Sequence, residues 1–270
     1  MAEADVLDWL RDRCAEFEFD VAGVFKRHGD HDWPFDAVGP EDLEAKLSAG
    51  GHLLPLPKEP AALANILEVA IVDHLLDAVV KDPAVQATRG SERGYPDLEL
   101  SGTRFGDGFH ALDVKVARRD DNPIRTRSRI TLYTGNTYFK WPQLHWPGTF
   151  RPFARYASHL DLLVVYDFVP QVGSRAANLE LIVQPAWRIA SRQRSSTTRE
   201  YIGAVDVVDD LRAGRGEFAT PQAFYEYWRA FPFNISKQVQ RQLDRLIRQQ
   251  QDRIAELERE RAERDGTSRA

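Results

Sequence analysis

Hydrophobic positions recur at three- and four-residue steps most clearly over residues 61–81, AALANILEVAIVDHLLDAVVK. Leu63, Ile66, Leu67, Ala70, Ile71, Leu75, Ala78 and Val79 predict a helix with one buried stripe, Pro60 at its start and Pro83 beyond its end. A shorter helix is predicted over residues 3–18, with Val6, Leu7, Trp9, Leu10 and Phe17 as its apolar set. From Gly94 to Ala117 the period becomes two. This stretch reads as a β-hairpin: one strand beginning near Pro96, a turn at Phe105–Gly108, and a second strand over about residues 109–117. Leu160–Phe168 and Leu179–Gln184 are apolar runs of strand length. A short helix is expected at 153–159 and an aromatic one at 220–231. A long charged helix follows over about 235–264, with a broken seam of Leu243, Ile247, Ile254 and Leu257 and Gln250 in the gap. The pattern is that of a mixed α/β (α+β) chain.

Alternation in the second hairpin strand sends His110, Leu112, Val114 and Val116 one way and Ala111, Asp113 and Lys115 the other. One face can sit on a core while the other presents a carboxylate and an ammonium. Asp97 enters from the paired strand. Two carboxylates brought together repel unless a cation lies between them. A hard divalent ion such as Mg²⁺ meets that demand with few protein ligands and several waters. Lys115 beside it would steady negative charge or help to deprotonate a water. The spacing Pro96-Asp97 and Asp113-Val114-Lys115 is the P-D…D-x-K pattern of the PD-(D/E)xK nucleases. An isolated Asp-x-Lys is also what a solvated strand with a surface ion pair looks like, so the rest of the chain must decide.

Net charge is −5, which does not advertise nucleic-acid binding, but its distribution changes the picture. Residues 1–100 carry 9 Lys/Arg against 21 Asp/Glu, and residues 101–235 carry 18 against 13. A phosphate backbone feels local potential, and the hairpin opens the basic part of the chain. The single Cys14 excludes an internal disulfide and a cysteine zinc site, and is expected in the core of the first helix. No apolar run reaches the length of a membrane span and the N-terminal segment lacks the pattern of a signal peptide, so a cytoplasmic protein is expected.

Other groups each have two readings. His28, Asp30 and His31 resemble a metal cluster on paper but read better as a solvated loop. Glu68, close to the apolar stripe of its helix, either snorkels at the edge of that face or takes part in chemistry. Arg118–Arg129 holds five arginines in twelve residues, a solvated loop or a DNA-backbone contact through Arg118 and Arg119. Thr134, Asn136 and Thr137 are small polar groups suited to phosphate. The stretch between Trp187 and Ile202 is poor in apolar residues and reads as a linker or as a loop entering a DNA groove, with Arg192, Arg194, Ser195, Ser196, Thr197, Thr198 and Arg199 as candidates.

Together these landmarks resemble the EcoRV-type type II restriction endonucleases. The likeness rests on Tyr95-Pro96-Asp97, on Asp113-Val114-Lys115, on Glu68 at the right separation, and on Thr131–Phe139. It continues through Trp187–Ala190, Ile202-Gly203 and Phe224–Arg229, and covers roughly residues 60–232. It implies a restriction-endonuclease-like core, a mixed central β-sheet flanked by helices, with a long C-terminal helix appended. Residues 1–60 would be an accessory or dimerisation region, 61–232 the nuclease domain with a recognition loop at 188–201, and 233–270 the terminal helix. It further implies a homodimer enclosing duplex DNA at a palindromic site and cutting both strands to leave 5′-phosphate ends, blunt at the centre. Asp97 and Asp113 would hold Mg²⁺, with Mn²⁺ as a substitute and Ca²⁺ supporting binding without cleavage. Lys115 would serve the water and the scissile phosphate, and Glu68 would be an auxiliary carboxylate near the dimer contact and the metal. A companion DNA methyltransferase in the host is implied as well.

The loop departs from the family, where glycines and an asparagine bring backbone against bases. Serines, threonines and Arg199 stand there instead, which favours side-chain readout and, through arginine, guanine. The target is therefore expected to differ from the EcoRV site and to contain a G·C pair. Val116 and Ala117 also replace small hydroxyls after Lys115. The competing readings are a monomeric repair or nicking nuclease of the same superfamily, an inactive DNA-binding relative, and a coiled-coil adaptor resting on the terminal helix alone.

Overall fold

A computed structural model describes residues 2–19, 41, 42, 45, 60–91, 94–169 and 175–267. The histidine-rich segment around His28, Asp30 and His31 lies outside the described residues. Helix α1 is Ala2–Ala15 and helix α2 is Pro60–Lys81. The stripe of α2 is centred on Leu63, Leu67, Ile71, Val72, Leu75 and Ala78, all buried, while Ile66, Ala70 and Val79 flank it half-exposed.

Among the described residues a five-stranded sheet runs in the order β1 (Gln86–Arg89), β2 (Leu98–Ser101), β3 (His110–Arg118), β5 (Ser158–Phe168), β6 (Ala176–Pro185). β3 and β5 are parallel and the other neighbours antiparallel, so the sheet is mixed. β2 and β3 form the hairpin expected from the alternation, with Leu98 opposite Leu112. Its link is longer than a tight turn and contains the 3-10 turn Thr103–Phe105. The fragment β4 (Thr131–Thr134) joins a second, three-stranded sheet with β8 (Tyr201–Ala204) and β7 (Ala190–Arg194). The arginine–serine stretch 188–201 is therefore a β-hairpin and not a linker: a one-turn helix α3 (Ala186–Ile189) leads into β7, and Ser195–Glu200 is its turn.

Both faces of the large sheet are buried, which alternation alone did not indicate. Leu112, Val114, Leu160, Leu162 and Val164 pack with α1 and α2 in one core. Ala111, Ala117, Leu163 and Val165 pack in a second core with Tyr133, Phe139, Phe153 and Trp228, under the small sheet and helices α4 (Val208–Ala213) and α5 (Pro221–Ala230). The face carrying Asp113 and Lys115 is thus roofed by protein, because the second sheet supplies enough apolar surface to cover it. Thr220 caps α5 with its side chain, and Pro221 takes the first helical position.

The last helix, α6, is Lys237–Thr267. Leu243 is buried against Leu144 and Trp146, whereas Ile247, Ile254 and Leu257 stand partly exposed along the seam. Among the described residues no helix is long and apolar enough to cross a membrane.

Candidate active site

Asp97 sits one residue before β2, and β3 reaches across to hold it. The backbone amide of Val114 donates to Asp97 Oδ2 at 2.6 Å. Val114 lies between Asp113 and Lys115, so the bond fixes Asp97 beside the D-x-K triplet. Gly90 packs against the same corner: its amide donates to the Asp97 carbonyl at 2.8 Å, and a Cβ there would fall 2.1 Å from the Pro96 carbonyl oxygen. Only glycine permits that approach.

Asp113 is 5% exposed and its Oδ2 lies 2.7 Å from Lys115 Nζ. Burial drives the Asp113 carboxyl well above its usual range, and although Lys115 opposes the shift, the neighbouring Asp97 adds to it. Burial works against the Lys115 ammonium, but Asp113 and Asp97 outweigh it and hold the group charged. Glu68 faces the cluster from α2. It lines a cleft of about 110 Å³ with Val69, Arg89, Gly90, Ser91 and Asp97. Its carboxyl is raised first by burial and then by Asp97, with Lys115 and Arg89 opposing. The four residues named for catalysis from the sequence therefore come together.

One carboxylate escaped the sequence reading. Asp161 pairs with Asp113 across the parallel β3–β5 ladder and so points to the same side of the sheet. It is fully buried, and neither of its oxygens has a hydrogen-bond partner. Burial pushes its carboxyl up to about 7. Tyr133, its hydroxyl also buried and unpartnered, lies near enough to oppose that shift but makes no hydrogen bond to it. The only signal in the sequence is an acid inside an otherwise apolar run, LDLLVVY.

Below the carboxylates lies an aromatic floor. Tyr95 and His159 Nδ1 share a hydrogen bond of 2.6 Å, and the Phe153 and His159 rings stack at 3.8 Å. Burial pushes His159 down to about 3, so the ring is neutral and the Tyr95 hydroxyl donates to it.

The residues named for DNA contact are more dispersed. Arg119 is 10% exposed and ion-paired to Asp167 and Glu180, so its guanidinium is held by the protein itself. Arg118 lies over the Phe168 ring. The turn Gly135–Phe139 packs inward: Asn136 donates to the Asn234 carbonyl, Thr137 to that of Thr134, and Phe233 covers Gly135. In the β7–β8 hairpin Arg194 pairs with Glu200 at 2.8 Å, and Ser195 bonds Thr131. Ser196 accepts from the amides of Thr198 and Arg199, closing the turn. Arg192 lies near the Phe218 and Tyr227 rings, and Arg199 donates to the Tyr201 hydroxyl. Thr197, Thr198 and Arg199 are exposed at the tip.

Among the described residues no three His, Cys, Asp or Glu side chains stand close enough to hold a metal ion between them. Asp97, just before β2, and Asp113, within β3, nevertheless suit a hard cation that takes one or two carboxylates and completes its sphere with water, which is the habit of Mg²⁺.

No curated protein matches the sequence. The family model "Restriction endonuclease EcoRV" matches residues 29–251, a wider span than the roughly 60–232 that the sequence landmarks cover. With the mixed sheet, the D-x-K strand and Asp97 tied to it, that match makes the chain a member of the EcoRV restriction endonuclease family.

Proposed function

We propose that this protein is a Mg²⁺-dependent type II deoxyribonuclease that acts as a homodimer on a short palindromic duplex site and leaves blunt, 5′-phosphate ends. The observation that supports it most directly is the Asp97–Val114 hydrogen bond beside the Asp113–Lys115 ion pair. It joins three chemistry-bearing residues from both arms of the hairpin at one point.

Asp97 and Asp113 would hold the metal, with Glu68 supporting them from α2. A bound Mg²⁺ would neutralise phosphate charge and lower the pKa of a water. Lys115, kept protonated by its acidic neighbours, would place positive charge against the scissile phosphate. Burial of Asp113 and Asp161 limits water around the reacting group, which strengthens each of these interactions. A two-fold dimer shares its axis with a palindromic duplex, so each subunit would address one strand.

The exposed tip of the β7–β8 hairpin, Thr197, Thr198 and Arg199, would enter the major groove, with Arg192, Arg194, Ser195 and Ser196 behind it. Arg118, Thr134 and Thr137 are the candidates for backbone contact. Arg119 and Asn136 would support the loops from inside. A cytoplasmic location and a companion methyltransferase go with this reading. The deciding experiment is digestion of a fully sequenced plasmid with Mg²⁺ followed by mapping of both ends at each break. Paired blunt breaks at one palindrome are expected. Unpaired nicks, or cleavage unchanged in EDTA, would overturn the proposal.

A further inference from the structure

Asp113 Oδ2 has two prospective occupants. It holds Lys115 Nζ at 2.7 Å, and under the proposed function it also contributes to a divalent cation. An ammonium and a divalent ion held by one carboxylate repel each other across a few ångströms in a site this buried. When the cation is bound, Lys115 needs another anionic partner, or its charge opposes the binding it is meant to assist.

The neighbouring strand provides a second carboxyl group, whose charged form an arriving ammonium would favour. Asp161 is in register with Asp113 on β5, on the same side of the sheet, and adjacent strands lie about 4.8 Å apart. It is fully buried with both oxygens unpartnered. A buried carboxylate without partners costs several kcal/mol in general, so its place here calls for a use. A direct contact of Asp161 with the cation is the alternative that the double substitution below separates. The field of Asp161 reaches Lys115. The Lys115 side chain, 25% exposed, is long enough to swing across one inter-strand spacing.

We infer that Asp161 is a positioning residue that receives Lys115 when a divalent cation takes Asp113, so that the ammonium moves between two adjacent strands as the site loads. The inference rests on the proposed metal site at Asp97 and Asp113. It adds a carboxylate that lies outside the P-D…D-x-K pattern.

The test uses Ca²⁺ alone as the probe, titrated calorimetrically into the full-length protein without DNA. Asp113→Ala serves as the reference: loss of Ca²⁺ binding there supports the metal site, and intact binding overturns the proposed function itself. Asp161→Asn is expected to weaken Ca²⁺ about tenfold, because Lys115 then stays on Asp113. Lys115→Met is expected to bind Ca²⁺ more tightly than the native protein. In the Lys115→Met background, Asp161→Asn should change the affinity less than threefold. An equal loss in both backgrounds would mean that Asp161 acts on the cation directly, and no loss in either would mean that it is an idle core carboxyl. Both results overturn the handover. Thermal melts qualify each variant, and Asp161→Ser replaces Asp161→Asn in the same cycle if the latter does not fold.

Discussion

Val114 donates its backbone amide to Asp97 Oδ2 at 2.6 Å, across 17 residues of sequence. A ladder strand thereby uses one of its own amides to aim a carboxylate at the triplet it carries. The two halves of the P-D…D-x-K pattern are coupled through a backbone donor as well as through their side chains.

Removing either carboxylate of the proposed metal site should stop the reaction. Asp97→Ala and Asp113→Ala are each expected to lower the single-turnover cleavage rate by at least about 10³ with Mg²⁺, the scale on which preorganised electrostatic groups act. Quenched-flow cleavage of an oligonucleotide carrying the mapped site measures this. Activity within tenfold of the native enzyme would rule out these ligands.

Glu68 should matter less. It shares a cleft with Asp97 and has no ion pair to a D-x-K residue. Glu68→Gln is expected to slow cleavage about tenfold while leaving DNA affinity in Ca²⁺ within about twofold, an effect near 1.4 kcal/mol. An unchanged rate would place Glu68 at the edge of its helix with no part in the chemistry.

Acid should weaken the fold through His159. Its folded pKa of about 3 lies below the ordinary 6.5. Such a group contributes its full stability above pH 6.5, and that contribution is lost as pH falls towards 3, because the unfolded chain takes up the proton first. At pH 5 the loss is about 2 kcal/mol. The surrounding Tyr95, Tyr133, Tyr156 and Tyr225 are all raised and stay neutral. Asp161, raised to about 7, works in the opposite direction but is common to both proteins compared. Denaturant titrations of the native chain and His159→Gln at pH 7.5 and pH 5 should show the native chain losing about 2 kcal/mol more. Parallel losses would contradict the burial of a neutral ring.

Arg151 binds Glu99 through two hydrogen bonds, of 2.6 and 2.7 Å, and Glu99 on β2 is 7% exposed. Arg151→Ala strands that carboxylate in a nearly buried position on β2. A cost of about 2 kcal/mol is expected, less than for a fully buried pair because the arginine is partly solvated. Double substitution with Glu99→Gln should recover part of it in the same unfolding assay. A single variant as stable as the native chain would show that the pair contributes nothing.

Arg199 is exposed at the tip of the β7–β8 hairpin, whereas Arg194 is tied to Glu200 and Arg192 lies near the Phe218 and Tyr227 rings. Arg199→Ala is expected to cost about 1–3 kcal/mol of discrimination at one G·C position, read as relaxed cleavage of single-base variants of the site. Uniform weakening on all sequences would assign Arg199 to the phosphate backbone instead.

What the sequence determined by itself was local. The apolar period locates α2, the alternation locates the β2–β3 hairpin, and type and spacing pick out Asp97, Asp113 and Lys115 because the strand period fixes which side chains share a face, whereas Glu68 is assigned a role only through the family resemblance. The tertiary structure decided everything that depends on pairing between distant strands. Parallel register brought Asp161 beside Asp113, although 48 residues separate them. Pairing with β4 turned an apolar-poor stretch into the β7–β8 hairpin, since ladder hydrogen bonds to a neighbour can order a segment that buries little surface of its own. Ion pairing drew Arg119 towards Asp167 and Glu180, a choice that no pattern in residues 118–129 contains, because its partners lie on β5 and β6.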